Sequence, residues 1–465
     1  MTFSLKIKEL FSARDMTEGR PWKRIAEFAI PMLIGNIAQQ LYNTADSVIV
    51  GIYVGDNALS AVGSAMPILN LLLAIFVGIA TGAGIVISQS FGAKDREGLS
   101  VNIGNCISLA GIATVLIMII GPLVTRPLLS LLSTPPSIYE WCATYLNIYF
   151  IGIAGFFFYN MLSGILRGLG DSFSALVFLL ISAALNVVLD LLFVAKLGME
   201  GVSGVALATV IAQAISAVLC YLKLMSMRNI FDLNLKTLKL VGANTKRIIK
   251  LGVPSGITQG IFAMSGMVVM SLTNHMGEMV VACNVIIMRV DGFAMLPNMT
   301  FGQAMSVFAG QNVGAKRFDR VSEGTRQGLF MGLGFSAVIT VILLFFGKYL
   351  FEIFTDTREL IDLAVNMMQI LAAGYLCVAV TQILGGVMRG AGDTVTPMWI
   401  SIISTVLLRV PAAYIIAHFS KTPEFPHGAP YALFLSLLIS WSLGMLISIT
   451  AFRFGKWKNK MRNQI

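Results

Sequence analysis

The chain has 465 residues, 56% hydrophobic and only 12% charged, with 33 Lys and Arg against 23 Asp and Glu. Soluble chains carry about a quarter of their residues charged, so this composition and a mean hydropathy of +0.81 exclude a soluble globular enzyme, a disordered chain and a secreted disulfide scaffold. The formal charge of +10 would suit nucleic acid, and its meaning depends on where the cations lie.

In chain order, segments without Asp, Glu, Lys or Arg cover 57–93, 98–125, 141–166, 201–222, 251–277, 327–347, 363–388 and 425–452. Each is long enough to cross ~30 Å of hydrocarbon as a helix. Four further apolar segments carry one or two charges: 25–50 (Glu27, Asp46), 173–195 (Asp190), 279–310 (Arg289, Asp291) and 394–418 (Arg409). The runs are continuous, without period-two alternation, which excludes a transmembrane barrel. They predict an all-α polytopic membrane protein with twelve transmembrane helices.

If the N-terminus is cytoplasmic, 26 cations fall on that side, five on the other, and two (Arg289 and Arg409) within spans. The asymmetry predicts both termini inside. The surplus charge is then a topology signal, and no nucleic-acid partner is expected. The first 24 residues are polar and charged, with no apolar core before a cleavage site, so no cleaved signal peptide is expected. Five cysteines without a close pair and three histidines without ligand spacing argue for core residues over a disulfide or His/Cys metal centre.

Comparing the chain with itself reveals a repeat. Arg24-Ile25 with Pro31 recurs as Arg247-Ile248 with Pro254, an offset of 223. Gln89 with Gly92-Ala93-Lys94 recurs as Gln311 with Gly314-Ala315-Lys316, and Arg167-Gly168 with Gly170-Asp171-Ser172 recurs as Arg389-Gly390 with Gly392-Asp393-Thr394, both at 222. Two parallel six-helix lobes follow. The expected division is a cytoplasmic segment 1–24, an N-lobe 25–225, a linker 226–246, a C-lobe 247–453 and a basic tail 454–465. Transporters built from parallel repeats hold substrate near mid-depth at the repeat interface. The repeated glycine motifs lie at helix ends, where glycines suit turns and C-caps and cations suit the dipole.

Ionisable groups at bilayer depth are functional candidates by default. Counted from the outer helix ends at 1.5 Å per residue, Asp46, Asp190 and Thr209 fall within about one turn of the same level. Asn186 precedes Asp190 by four residues and shares its face. Gln39, Asn43 and Asp46 form one stripe. Their oxygens suit either a dehydrated Na⁺ or protons on coupled carboxylates. In the second half, Arg289 and Asp291 point about 160° apart and are not an obvious pair. They are candidates for substrate contact or for a compensating network with Arg409. Asn36 and Gln259, each five residues after a repeated proline, are candidates to line the cleft. Met264, Met267, Met288 and Met295 are candidates for an adaptable apolar lining.

The stretch from Pro31 to Gly51, with Asn36, Gln39, Asn43 and Asp46, resembles the first helix of the multidrug and toxic compound extrusion (MATE) family. Gln89 to Lys94, Arg167 to Asp171, Asn186 to Asp190, and Gly302-Gln303 through Gln311 to Ala315 resemble it too, so the likeness spans about residues 20–455. It implies a twelve-helix, two-lobe fold exporting amphipathic, often cationic organic compounds in exchange for H⁺ or Na⁺. It also implies a cation site at Asp46, Asn186, Asp190 and Thr209, in a bacterial cytoplasmic membrane protein acting as a monomer without a cofactor. Carboxylates that one branch uses in helices 7 and 10 are absent, which favours N-lobe coupling of the DinF-like kind. The alternative within the superfamily is a lipid-linked saccharide flippase, whose pyrophosphate headgroup asks for a cationic cavity. An integral-membrane enzyme is disfavoured because no motif has catalytic spacing.

Overall fold

The structure, a computed structural model, describes residues 12–132, 134–199, 202–234, 237–423 and 425–459, without the side chains of 45–48, 56, 59, 67, 71 and 72. Every regular element among them is helical. That is the expected outcome in hydrocarbon, where a helix satisfies all its backbone groups within one segment.

The first half runs α1 (Pro21–Tyr53), α2 (Asp56–Gly92), α3 (Arg96–Leu131), α4 (Pro136–Ile151), α5 (Ile153–Gly168), α6 (Ser172–Asp190) and α7 (Ser203–Ser226). The second runs α8 (Gly242–His275), α9 (Glu278–Gly314), α10 (Phe318–Glu352), α11 (Arg358–Ala372), α12 (Gly374–Gly390), α13 (Val395–Ser401), α14 (Val410–Phe419) and α15 (Tyr431–Phe454). Two of the spans are bent rods: α4 and α5 meet at 53°, α11 and α12 at 43°. Two more contain π-helical turns, Leu191–Lys196 after α6 and Ile402–Arg409 between α13 and α14. Among the described residues nine helices qualify as membrane spans by length and composition, and the bent pairs raise this to eleven. The charged first helix α1 completes twelve rods, one for each segment read from the sequence.

Two compact units emerge. One contains Ile30–Gly256 with the described residues up to Asp15; the other contains Met16–Ala29 with the chain from Ile257 onward. In the first unit, the aromatic rings of Phe76 and Phe157 stack with centroids 3.7 Å apart inside a continuous apolar core. Gly78 and Gly82 on α2 face Gly256 and Gly252 on α8, so closely that a Cβ on Gly82 would meet backbone atoms of Ile248 and Gly252 at 2.6 Å. Small residues four apart on both helices let the two backbones touch.

The segment between α7 and α8 is clamped to the same unit by Arg96. Its guanidinium donates to Asp232 Oδ1 at 2.8 Å and Oδ2 at 3.0 Å, and also to the carbonyls of Asn229 and Arg228. The Asp232 N–H donates to Ser100 Oγ at 2.8 Å. The fork holds the Asp232 carboxyl below the usual carboxylate range.

In the second unit the stretch before α1 is tied to α9 and α10. Arg320 donates to the carbonyls of Gly19 and Met16, and the Met16 N–H donates to Gln311 Oε1 at 2.8 Å. The repeated motifs take the same form in both halves. Asp171 caps α6 through Ser174 N at 2.9 Å and Oγ at 2.6 Å, and Asp393 bonds Thr396 in the same way at 3.3 and 2.6 Å. Gly170 and Gly392 are left-handed, as a tight turn requires. In the other motif the left-handed residue is the lysine, Lys94 (φ 54°) and Lys316 (φ 59°), while Gly92 and Gly314 close their helices.

Two outcomes test this packing. Gly82→Leu overpacks the α2–α8 crossing and lowers thermal stability in detergent by about 1–3 kcal/mol, whereas a leucine at Gly63, with open space around it, leaves the melting curve unchanged. The lowered folded-state value of Asp232 means its contribution is present above its unfolded value and is lost as pH falls through the folded one. Limited proteolysis between α7 and α8 therefore accelerates on acidification, and in Asp232→Asn it is fast at neutral pH as well.

Candidate functional site

The polar group of the first unit is built on α6. The four-residue spacing puts Asn186 and Asp190 on one face, and both are buried, at 1% and 0% exposure. The Asn186 orientation that satisfies both ends of its amide donates to Asp190 Oδ2 at 2.8 Å and to Tyr42 Oη at 3.2 Å. Its oxygen accepts from the Thr209 N–H at 3.0 Å. Thr209 donates its hydroxyl to the Val205 carbonyl, 3.1 Å away on α7. Asn186, Asp190 and Thr209, expected as a cluster, thus lie together. Tyr42 was not anticipated; it follows Gln39 by one turn and could have been read as part of the α1 stripe.

Asp46 lies on α1, four residues after Tyr42, but its side chain is outside the described residues. Asn36 and Gln39 line a small cavity of about 110 Å³, together with Asn160, Gln213 and Arg167. Asn43 is exposed and does not line it. A π-helical turn begins at the residue after Asp190. Such turns inside α-helices are frequent at functional sites.

The second unit holds a far larger cavity, about 930 Å³, walled by α8, α9, α12, α15 and the π-helical turn. Met267, Met288 and Met295 contribute to its lining with Met270 and Met299, while Met264 does not. Asn284 donates to the sulfurs of Met270 and Met288 at 3.7 and 3.6 Å. Asp291 opens onto this cavity and accepts a 2.8 Å hydrogen bond from the buried Tyr375 hydroxyl. Arg409, on the last residue of the π-helical turn, lines it too and interacts electrostatically with Asp291. Arg389 lines it at the end of α12. Arg289 and Gln259 are exposed and lie outside the cavity wall. Tyr375 has no sequence signal that separates it from core aromatics. Among the described residues no group of three or more His, Cys, Asp or Glu side chains could hold a metal ion.

These features define a two-unit, all-helical membrane protein with polar groups held inside the helical bundle of each unit. The chain belongs to the MatE family, whose model matches it twice, over residues 31–192 and 254–415. Both matches have the same length and are 223 residues apart, as the internal repeat requires. It is 29% identical over 426 residues to "Probable multidrug resistance protein YoeA" of Bacillus subtilis (strain 168), covering 90% of this chain and 92% of that one. It is 24% identical to "Probable multidrug resistance protein NorM" of Thermotoga maritima, over 99% and 97% of the two chains. Among solved structures, an outward-facing multidrug resistance MATE family transporter of the MOP superfamily superposes with a TM-score of 0.87 over 97% of this chain and 99% of that one, at 23% identity. A MOP superfamily transporter from Pyrococcus furiosus gives a TM-score of 0.86 over 96% and 98%. The relatives and the structural neighbours are transporters, and this protein is a multi-pass membrane transporter and not an enzyme.

The hydrogen bond from Tyr375 to a carboxylate should contribute roughly 1.5–3 kcal/mol. Tyr375→Phe therefore lowers the detergent melting temperature by several degrees. In an Asp291→Asn background the same change costs clearly less, the non-additivity being the signature of the pair.

Proposed function

We propose that the protein is a secondary antiporter. It exports amphipathic organic compounds by alternating access, in exchange for H⁺ or Na⁺ bound in the N-lobe. The observation that carries this reading is the buried Asn186–Asp190 pair, joined to Tyr42 and Thr209 at bilayer depth. A carboxylate so placed is costly to keep charged, so its ionisation or its occupancy by a cation is a sizeable free-energy change. Asp190 with Asp46 takes up the coupling ion; Asn186, Tyr42 and Thr209 orient it. Asn36 and Gln39 face the small cavity of the same unit and belong to the route taken by cargo or ion. The relatives named as multidrug resistance proteins support a broad cargo range. The protein works as a monomer in the bacterial cytoplasmic membrane with both termini inside, the side to which 26 of its 33 cations are assigned.

Everted vesicles with H⁺ and Na⁺ gradients imposed separately test the reading, with ethidium among a broad panel of dyes. Transport is expected to follow one of the two gradients. Asp190→Asn and Asp46→Asn should each abolish gradient-driven transport while the protein inserts normally. Transport of no dye under either gradient, or wild-type rates in both variants, would refute it.

A further inference from the structure

The second unit's cavity carries an arrangement of charge that simple cation export does not call for. Its lining includes one acidic and two basic side chains, Asp291, Arg389 and Arg409, so its formal charge is positive. Asp291 and Arg409 are within electrostatic reach of each other but form no direct ion pair, and Arg409 Nε has no hydrogen-bond partner. Both residues are half-buried; among the described residues Asp291 is partnered by Tyr375 alone, so neither charge is neutralised by the other. Five methionines, Phe434 and the Trp441 ring give the wall a soft apolar part, interrupted by neutral polar side chains such as Asn274, Asn284 and Gln382.

A lone cation at Asp291 would leave Arg409 facing like charge. A lone anion at Arg409 would face Asp291. A molecule that carries both charges satisfies both ends. On the antiporter reading above, we infer that this cavity receives amphipathic zwitterions, the cargo's ammonium meeting Asp291 and its carboxylate meeting Arg409. The apolar body lies along the methionines. Arg409 recognises the carboxylate through its planar donor fork, and Tyr375 positions Asp291. Gly385 leaves room one turn before Arg389 for that guanidinium, 3.3 Å from where a Cβ would stand. Arg389, also in the wall, adds positive potential and shifts the cavity's preference further from simple cations.

Three related probes separate the two charges: Nα-dansyl-lysine, its methyl ester, which removes the anion, and its Nε-acetyl derivative, which removes the cation. Purified full-length protein in detergent reports binding by energy transfer from tryptophan to dansyl, with Trp441 in the cavity wall. The zwitterion should bind at least about tenfold tighter than either derivative. Arg409→Met should erase the difference between acid and ester, and Asp291→Asn the difference between amine and acetamide. The wild-type comparison needs no variant, so a folding defect in either mutant does not shelter the inference. It is overturned if acid and ester bind alike, if the ester binds tighter, or if the zwitterion does not bind at all. Ethidium transport that persists in vesicles alongside such a result would remove this inference and leave the antiporter reading standing. Absence of gradient-driven transport would remove the latter.

Discussion

A carboxylate is tolerated at bilayer depth only where neighbouring donors replace the water it has lost. Both units meet this constraint, by different means. In the first, the donor is an amide four residues earlier on the same helix, Asn186 to Asp190. In the second, it is a phenol from another helix, Tyr375 to Asp291. Irregular backbone collects at the same places. One π-helical turn starts right after Asp190, and the other ends on Arg409. Backbone that departs from the α-helix within a membrane must find partners inside the protein, so such turns persist where polar groups already gather.

The twelve spans were legible because burying ~20 apolar residues per crossing leaves a signal that no local detail erases. The repeat was legible because turn chemistry constrains sequence: Asp171 and Asp393 cap equivalent helices, and Gly170 and Gly392 supply equivalent left-handed turns. The Asn186–Asp190–Thr209 grouping could be reached by counting depth along two helices. What counting could not supply is neighbourhood across helices. Tyr42 and Tyr375 read as core aromatics until their hydroxyls are seen against polar partners. Nothing in the order of residues says that Asp291 and Arg409, far apart in the chain, face one cavity. Nor does the lysine of Gly-Ala-Lys, a residue type that ordinarily avoids positive φ, announce itself as the left-handed position.

The span after the repeated glycine–aspartate motif carries a π-helical turn in both units, Leu191–Lys196 in one and Ile402–Arg409 in the other. Asp190 immediately precedes the first turn, and Arg409 ends the second. The Asp190 carboxylate is bonded by Asn186 on its own helix, at a spacing that rigid-body helix motion leaves unchanged. The Asp291 carboxylate is bonded by Tyr375 on another helix, so any displacement of α9 against α12 alters their separation. Duplication supplied one frame, and changes of side chain within it left one copy with a polar pair fixed inside a single helix and the other with a pair that bridges two helices.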